Sequence, residues 1–232
     1  LAAGTGSRYL AAADGGIGAS DHKLLAMLPD GRAVALTSAK TVLSVVPETI
    51  AVVTDRPSDL AVQLSDAGCE ILQIPASPRG MGVSLAAAAR YLLNRQMAPA
   101  SKNVRHAGSA TDAGTDAGTD AATGIAADPA APLNGCVVAL ADMPWIRPGT
   151  LTQLLVHAAP DRIVVPVYNG QRGHPVVFGA DFLRELADLS GDMGARAILA
   201  RHGALEIECD DAGVVRDVDT PADLIFNEET DQ

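Results

Sequence analysis

LAAGTGSR, residues 1–8, places Gly4 and Gly6 ahead of a hydroxyl at Ser7 and a guanidinium at Arg8. Without a Cβ, the two glycines let the backbone turn sharply and bring its N–H groups close to an anion. Arg8 adds a planar fork that matches phosphate oxygens, and Lys23, in DHKLL, adds a mobile ammonium. A lone GxG is usually a plain strand-to-helix turn. The cations beside it and the carboxylates downstream favour a phosphate cradle here.

The first carboxylate is Asp142. CVVALADMPW, residues 136–145, runs an apolar strand straight into it. In open α/β sheets, ligands bind outside the carboxyl ends of the strands. A carboxylate there, in one chain with a phosphate cradle, suits Mg²⁺, which takes one or two carboxylates together with phosphate oxygens and water. Pro144 and Pro148 stiffen the turn that carries it. The plainer alternative is that Asp142 caps that turn.

A second acidic group lies in VVRDVDTPADL, residues 214–224. Strand alternation would set Asp217 and Asp219 on one face, where one or both could join the metal. Thr220 as N-cap and Pro221 at the first helical position would start a helix. An ordinary acidic helix start accounts for Asp223 and leaves the Asp217/Asp219 pair open.

These residues need elements to position them. TIAVV (49–53), EILQI (70–74), CVVAL (136–140) and RIVVPV (162–167) are short, continuous and rich in β-branched residues. They predict strands buried on both faces. Helical stretches are expected over residues 58–67, 84–95, 150–158 and 181–189, with Ser58 and Thr150 as N-caps. In such folds a buried strand precedes the glycine loop, and Leu1 and Ala2 read as its last residues. The alternation predicts a Rossmann-like, three-layer α/β fold with a mostly parallel sheet. Residues 1–232 are expected to form a single domain. Residues 96–134, with the repeat TDAGTDAGTD, bury too little apolar surface to order themselves and predict a disordered surface insertion.

Composition narrows the classes. The 17 basic and 28 acidic residues leave a net charge of −11, which repels polyanions and argues against nucleic acid as a partner. Cys69, Cys136 and Cys209 are scattered, so neither a disulfide framework nor a zinc site is expected. No apolar run approaches the ~20 residues that cross a bilayer, and no signal peptide is visible; a soluble, cytoplasmic protein without membrane contact is expected.

The chain resembles the molybdenum-cofactor nucleotidyltransferases, and among them the cytidylyltransferases. LAAGTGSR, DHKLL, RGMGVSL (79–85), ALADMPWI (139–146), GQRGHPVVF (170–178), GDMGARAIL (191–199) and DVDTPADL (217–224) carry the resemblance, in the family's order. It implies a nucleotide-diphospho-sugar-transferase-like fold, Mg²⁺, and transfer of CMP from CTP to the terminal phosphate of molybdopterin. Leu1, Ala2, Ala3, Gly4, Gly6, Ser7 and Arg8 would cradle the triphosphate, Lys23 would neutralise it, and Asp142 would hold the metal, with Asp217 and Asp219 as further ligands. Gly80, Met81, Gly82 and Ser84 would line the base and ribose. Arg172, Gly173, His174 and Pro175 would face the acceptor pterin, and the alanine of LAAG, Ala3, points to CTP rather than GTP. A molybdenum hydroxylase or its maturation chaperone would receive the product. The alternatives are a GTP-dependent or sugar-phosphate nucleotidyltransferase, and a protein that binds nucleotide without turning it over.

Several neighbours keep two readings. His174 either contacts the acceptor or packs in a turn. Trp145 either fills the core or stacks on the pterin. Met81 and Met193 fill gaps between glycines. Asp192 orders the acceptor loop or serves as a turn residue before a helix.

Overall fold

A computed structural model describes residues 23–54, 59–77, 80–97 and 133–225. The helices are α1 (Val34–Leu43), α2 (Asp59–Asp66), α3 (Met81–Met97), α4 (Pro148–Val156), α5 (Leu183–Ala187) and α6 (Arg196–His202). The strands are β1 (Ile50–Thr54), β2 (Glu70–Ile74), β3 (Gly135–Val138), β4 (Ile163–Tyr168), β5 (Gln171–Arg172), β6 (Val176–Gly179) and β7 (Leu205–Glu208). Short 3-10 turns at Lys23–Leu25, Ala180–Phe182, Ala212–Val215 and Pro221–Leu224 link them.

The continuous apolar runs form the expected strands, but of these only β1 and β4 are buried on both faces; β2 buries Ile74 alone, and β3 is half-buried along its length. β1 and β2 pair in parallel, Ile50 opposite Glu70. In the larger sheet, β6 lies between β3 and β4 and runs antiparallel to both, while β7 pairs with β4 in parallel. β3, β4 and β7 therefore point the same way, and their carboxyl ends share one edge. The α/β alternation holds, but the pairing in this sheet is mixed where a mostly parallel sheet was expected. The cause is a return strand: β5 and β6 both run antiparallel to β4, Arg172 opposite Val167 and Phe178 opposite Ile163. Residues 173–175 break it, and β6 resumes with Val176 opposite Val138, at the end of β3 that leads to Asp142.

Alternation along each strand builds the three layers. Ile163, Val165, Val176 and Phe178 face Ala89 of α3, Leu183 and Leu186 of α5, and Ile198 of α6. The intervening Val164 and Val177 face Leu154 of α4. Each such side chain, fully buried, contributes roughly 1.5–3 kcal/mol of transfer free energy. On the amino-terminal side, β1 packs through Ala51 and Val53 against Leu24, Ala35, Leu60 and Leu64.

Several expected boundaries move. β3 stops at Val138, so residues 139–140 leave the ladder early and lengthen the loop to Asp142. α4 begins at Pro148 with Arg147 as N-cap, which makes Thr150 a first-turn residue rather than a cap. The helix expected over 181–189 divides into a 3-10 turn and the five-residue α5. Residues 214–219 are not a strand; a 3-10 turn over Ala212–Val215 opens that segment. Pro221–Leu224 is likewise a 3-10 turn, entered through Thr220. α3 extends to Met97 and Leu133 packs on the core, so the expected insertion is narrower than 96–134. Its residues 98–132 lie outside the described residues, as do Ser58 and the loop residues Leu1, Ala2, Ala3, Gly4, Gly6, Ser7 and Arg8.

Candidate functional site

The site assembles where three loops meet at the carboxyl edge of β3. Leu24, 2% exposed, anchors the Lys23–Leu25 turn in the core, and the next residues carry Ala26 and Leu28 into a cluster with Val34 and Val218. Val218 is fully buried, and its N–H donates to the Asp142 carbonyl at 2.8 Å. The loop after β3 and the segment 217–219 are thereby stitched backbone to backbone. Trp145 packs against the same cluster, which favours its core reading. From α1, Ser38 donates its hydroxyl to the Ala141 carbonyl at 3.0 Å and supports the loop from behind.

These anchors bring Lys23, Asp142 and Asp219 together. The Lys23 Nζ donates to Asp142 Oδ2 at 2.7 Å and to Asp219 Oδ1 at 3.2 Å. Lys23 is 8% exposed. Burial alone would lower its pKa; the hydrogen bond and charge of Asp142, then of Asp219, outweigh burial and hold it above the ordinary lysine value. Asp217 stays outside this hydrogen bonding. Burial first, then the charges of Asp219 and Asp142, push its carboxyl above the usual aspartate value. The same-face argument for Asp217 and Asp219 fails because the segment is not a strand, and only Asp219 reaches the lysine. Asp223 serves the following turn, accepting from the Asp219 and Thr220 N–H groups at 3.1 and 2.6 Å.

The donor set suits a hard divalent cation. Among the described residues no group of three or more His, Cys, Asp or Glu converges as a ready-made cage. Two carboxylate oxygens already converge on one cation, the Lys23 ammonium, and magnesium needs only one or two protein carboxylates when phosphates and water complete its shell.

The break in the return strand faces this edge. Gly173 N–H donates to the Pro166 carbonyl and His174 N–H to the Val214 carbonyl at 2.7 Å. A Cβ on Gly173 would sit 2.1 Å from the Val214 oxygen. Gly173→Ala must therefore push the 212–215 turn away, and we expect a loss of roughly 1–3 kcal/mol, read as a lower denaturant midpoint with an unchanged slope.

The buried Nδ1 of His174 has no hydrogen-bond partner among the described residues. Burial pushes the His174 pKa below the ordinary histidine value, so the ring is neutral at pH 7. Arg172 forms an ion pair with Glu206 at the exposed face of β7. Neither residue offers an unengaged positive charge to an acceptor phosphate, as the sequence had suggested for Arg172.

Gly80, Met81 and Gly82 dock on the 190–194 loop. Gly80 has φ 137°, and a Cβ there would lie 2.3 Å from the Gly191 oxygen. Gly82 N–H donates to that same oxygen at 2.9 Å. Asp192 lies over Gly80, and Met81 over Gly194, so both belong to this joint. Ser84 is 3% exposed and directs its hydroxyl back to the Gly80 carbonyl.

One residue that the sequence reading passed over is Asp211, 2% exposed. Its carboxylate accepts from Arg147 N–H at 2.9 Å, Thr150 Oγ1 at 2.6 Å and Gly213 N–H at 3.0 Å. It ties the start of α4 to the turn that holds Gly173 and His174. The sequence signal was DDAG, an aspartate two residues before a glycine, which marks an Asx turn. An apolar cavity of about 440 Å³ lies between β1, α3 and β3; its lining includes none of Lys23, Asp142 or Asp219.

Comparison with known proteins points the same way. The family model for the MobA-like NTP transferase domain matches residues 1–206. Nicotine blue oxidoreductase of Paenarthrobacter nicotinovorans is 37% identical over 97 residues, 38% of this chain and 48% of that protein. The chain thus spans about half the length of that curated relative. Rv0371c of Mycobacterium tuberculosis aligns with a TM-score of 0.63 at 24% identity, covering 96% of this chain and 91% of that one. A nucleotidyl transferase from Methanothermobacter aligns with a TM-score of 0.67 at 21% identity, covering 96% and 90%. At these identities the structural likeness establishes the fold.

Proposed function

The chain belongs to the MobA-like NTP transferase family; from that premise we propose that it is a nucleotidyltransferase that moves CMP from CTP to the terminal phosphate of molybdopterin, releasing pyrophosphate. The observation that carries this reading is the buried Lys23 bridging Asp142 and Asp219 at the carboxyl edge of β3.

In the proposed reaction a terminal phosphate oxygen of the acceptor attacks the α-phosphorus. A new O–P bond forms, the bond to the β-phosphate oxygen breaks, and pyrophosphate leaves with its electron pair. The nucleophile is already an anion at neutral pH, so a strong general base is not required. Asp142 and Asp219 would hold the divalent ion, which when bound supplies charge neutralisation on the phosphates. Lys23 would turn its positive charge to the triphosphate, and Gly4, Gly6, Ser7 and Arg8 would receive the departing pyrophosphate. The neutral His174 brings no positive charge to the acceptor's phosphate. Ala3 remains the reason to name CTP.

Purified protein with Mg²⁺, molybdopterin and each triphosphate in turn tests the proposal through pyrophosphate release. We expect release with CTP at least about tenfold faster than with GTP, the difference of one well-placed contact. Equal rates would remove the Ala3 argument. Release with a sugar phosphate but not with the pterin would reassign the acceptor. A chain that instead turns over a redox substrate, as the name of the Paenarthrobacter relative has it, would release no pyrophosphate with any triphosphate.

A further inference from the structure

We propose that the Lys23 ammonium is a placeholder that a divalent ion must displace from Asp142 and Asp219, so that the two cations compete for one pair of carboxylates. The inference rests on the reading that these carboxylates hold the metal, and concerns what this chain does before the metal arrives. Lys23 takes one oxygen from each partner, Oδ2 of Asp142 and Oδ1 of Asp219. Its side chain is the innermost of the three, 10% exposed against 20% for Asp142 and 34% for Asp219. An ion arriving from solvent therefore meets carboxylates whose charge is already answered from behind. If it took the remaining oxygens, it would sit across the same carboxyl groups from the ammonium in a partly buried site, where like charges repel strongly. Lysine suits this exchange because its ammonium is a point charge on a flexible four-carbon stem, free to swing while its backbone stays fixed. Leu24 and the Lys23 carbonyl, which accepts from Ala26 N–H, hold that backbone. The displaced ammonium needs a new anion, and a bound triphosphate supplies one. Metal alone is thus disfavoured and metal with nucleotide favoured, which orders binding without any moving lid.

The test is Mn²⁺ binding to the whole chain without nucleotide, followed by the loss of the free-ion paramagnetic resonance signal. Lys23→Met should bind Mn²⁺ at least about tenfold more tightly than the unmodified protein, because the competing charge is gone. Adding Asp219→Asn to Lys23→Met should abolish that gain. Unchanged or weaker binding in Lys23→Met overturns the exchange. No Mn²⁺ binding in any variant overturns the assignment of Asp142 and Asp219 as well, so the two failures are distinguishable. A measurement on the unmodified protein guards against misfolding of the variant. Acylation of Lys23, followed by mass spectrometry with Lys40 as the internal reference, should accelerate as Mn²⁺ saturates and releases the side chain. A rate that stays level or falls contradicts the proposal.

Discussion

Asp142→Asn is expected to slow nucleotidyl transfer by about a hundred- to a thousandfold, the cost of removing one preorganised charge from a transition state, while leaving the protein folded. The amide keeps the size of the carboxylate, and the Asp142 backbone carbonyl still accepts from Val218. Only the charge is lost. Lys23 then keeps the Asp219 carboxylate at 3.2 Å, while its nearer partner, at 2.7 Å from Asp142, becomes a neutral amide. The proposed metal loses one of its two carboxylates at the same time. The effect belongs in kcat, because the charge is needed where pyrophosphate departs. Steady-state kinetics with the melting curve beside them check it. Activity within threefold of the parent would show that Asp142 only shapes its loop.

The second large effect is on stability. Asp211→Ala leaves the Arg147 N–H, the Thr150 hydroxyl and the Gly213 N–H without their acceptor at a position 2% exposed. A buried donor left unpaired costs roughly 1–3 kcal/mol, so about 3 kcal/mol or more is expected in total. For a chain of this size that lowers Tm by roughly 6–12 °C. Asp211→Asn retains one acceptor oxygen and should lose less. The 212–215 turn should loosen first, and with it the His174 N–H bond to Val214. A Tm within 2 °C of the parent for Asp211→Ala would mean that water replaces the carboxylate without cost.

Local pattern revealed the elements that local chemistry decides. EILQI over residues 70–74 is β2 without a shift of either end, because a run of apolar and β-branched residues bounded by Cys69 and Pro75 has few other uses. RIVVPV lost only its first residue and gained Tyr168 at the end of β4. The return strand was not legible. Strand direction depends on what lies beside β4, and no period within GQRGHPVVF encodes that. Segment 214–219 failed for a related reason. VVRDVD alternates like a strand, but Asp211 curls its beginning into a 3-10 turn and the Val218 bond to Asp142 fixes the rest.

The site was legible as a set of residue types and not as a set of pairs. Lys23 and Asp142 stood out separately, one for phosphate and one for metal, yet they are 119 residues apart and hydrogen-bonded to each other. Arg172 looked like a spare cation until Glu206, 34 residues on, took its guanidinium. In each case the missing information was a long-range contact set by the packing of other residues, here Leu24, Val34 and Val218.

The most direct measurement is the anomalous scattering of Mn²⁺ in crystals grown with a non-hydrolysable CTP analogue. The account predicts one metal peak bonded to Asp142 and Asp219 and to the analogue's phosphates, with the Lys23 Nζ withdrawn from both carboxylates. A nucleotide bound with its metal elsewhere, and Lys23 still bridging Asp142 and Asp219, would contradict it.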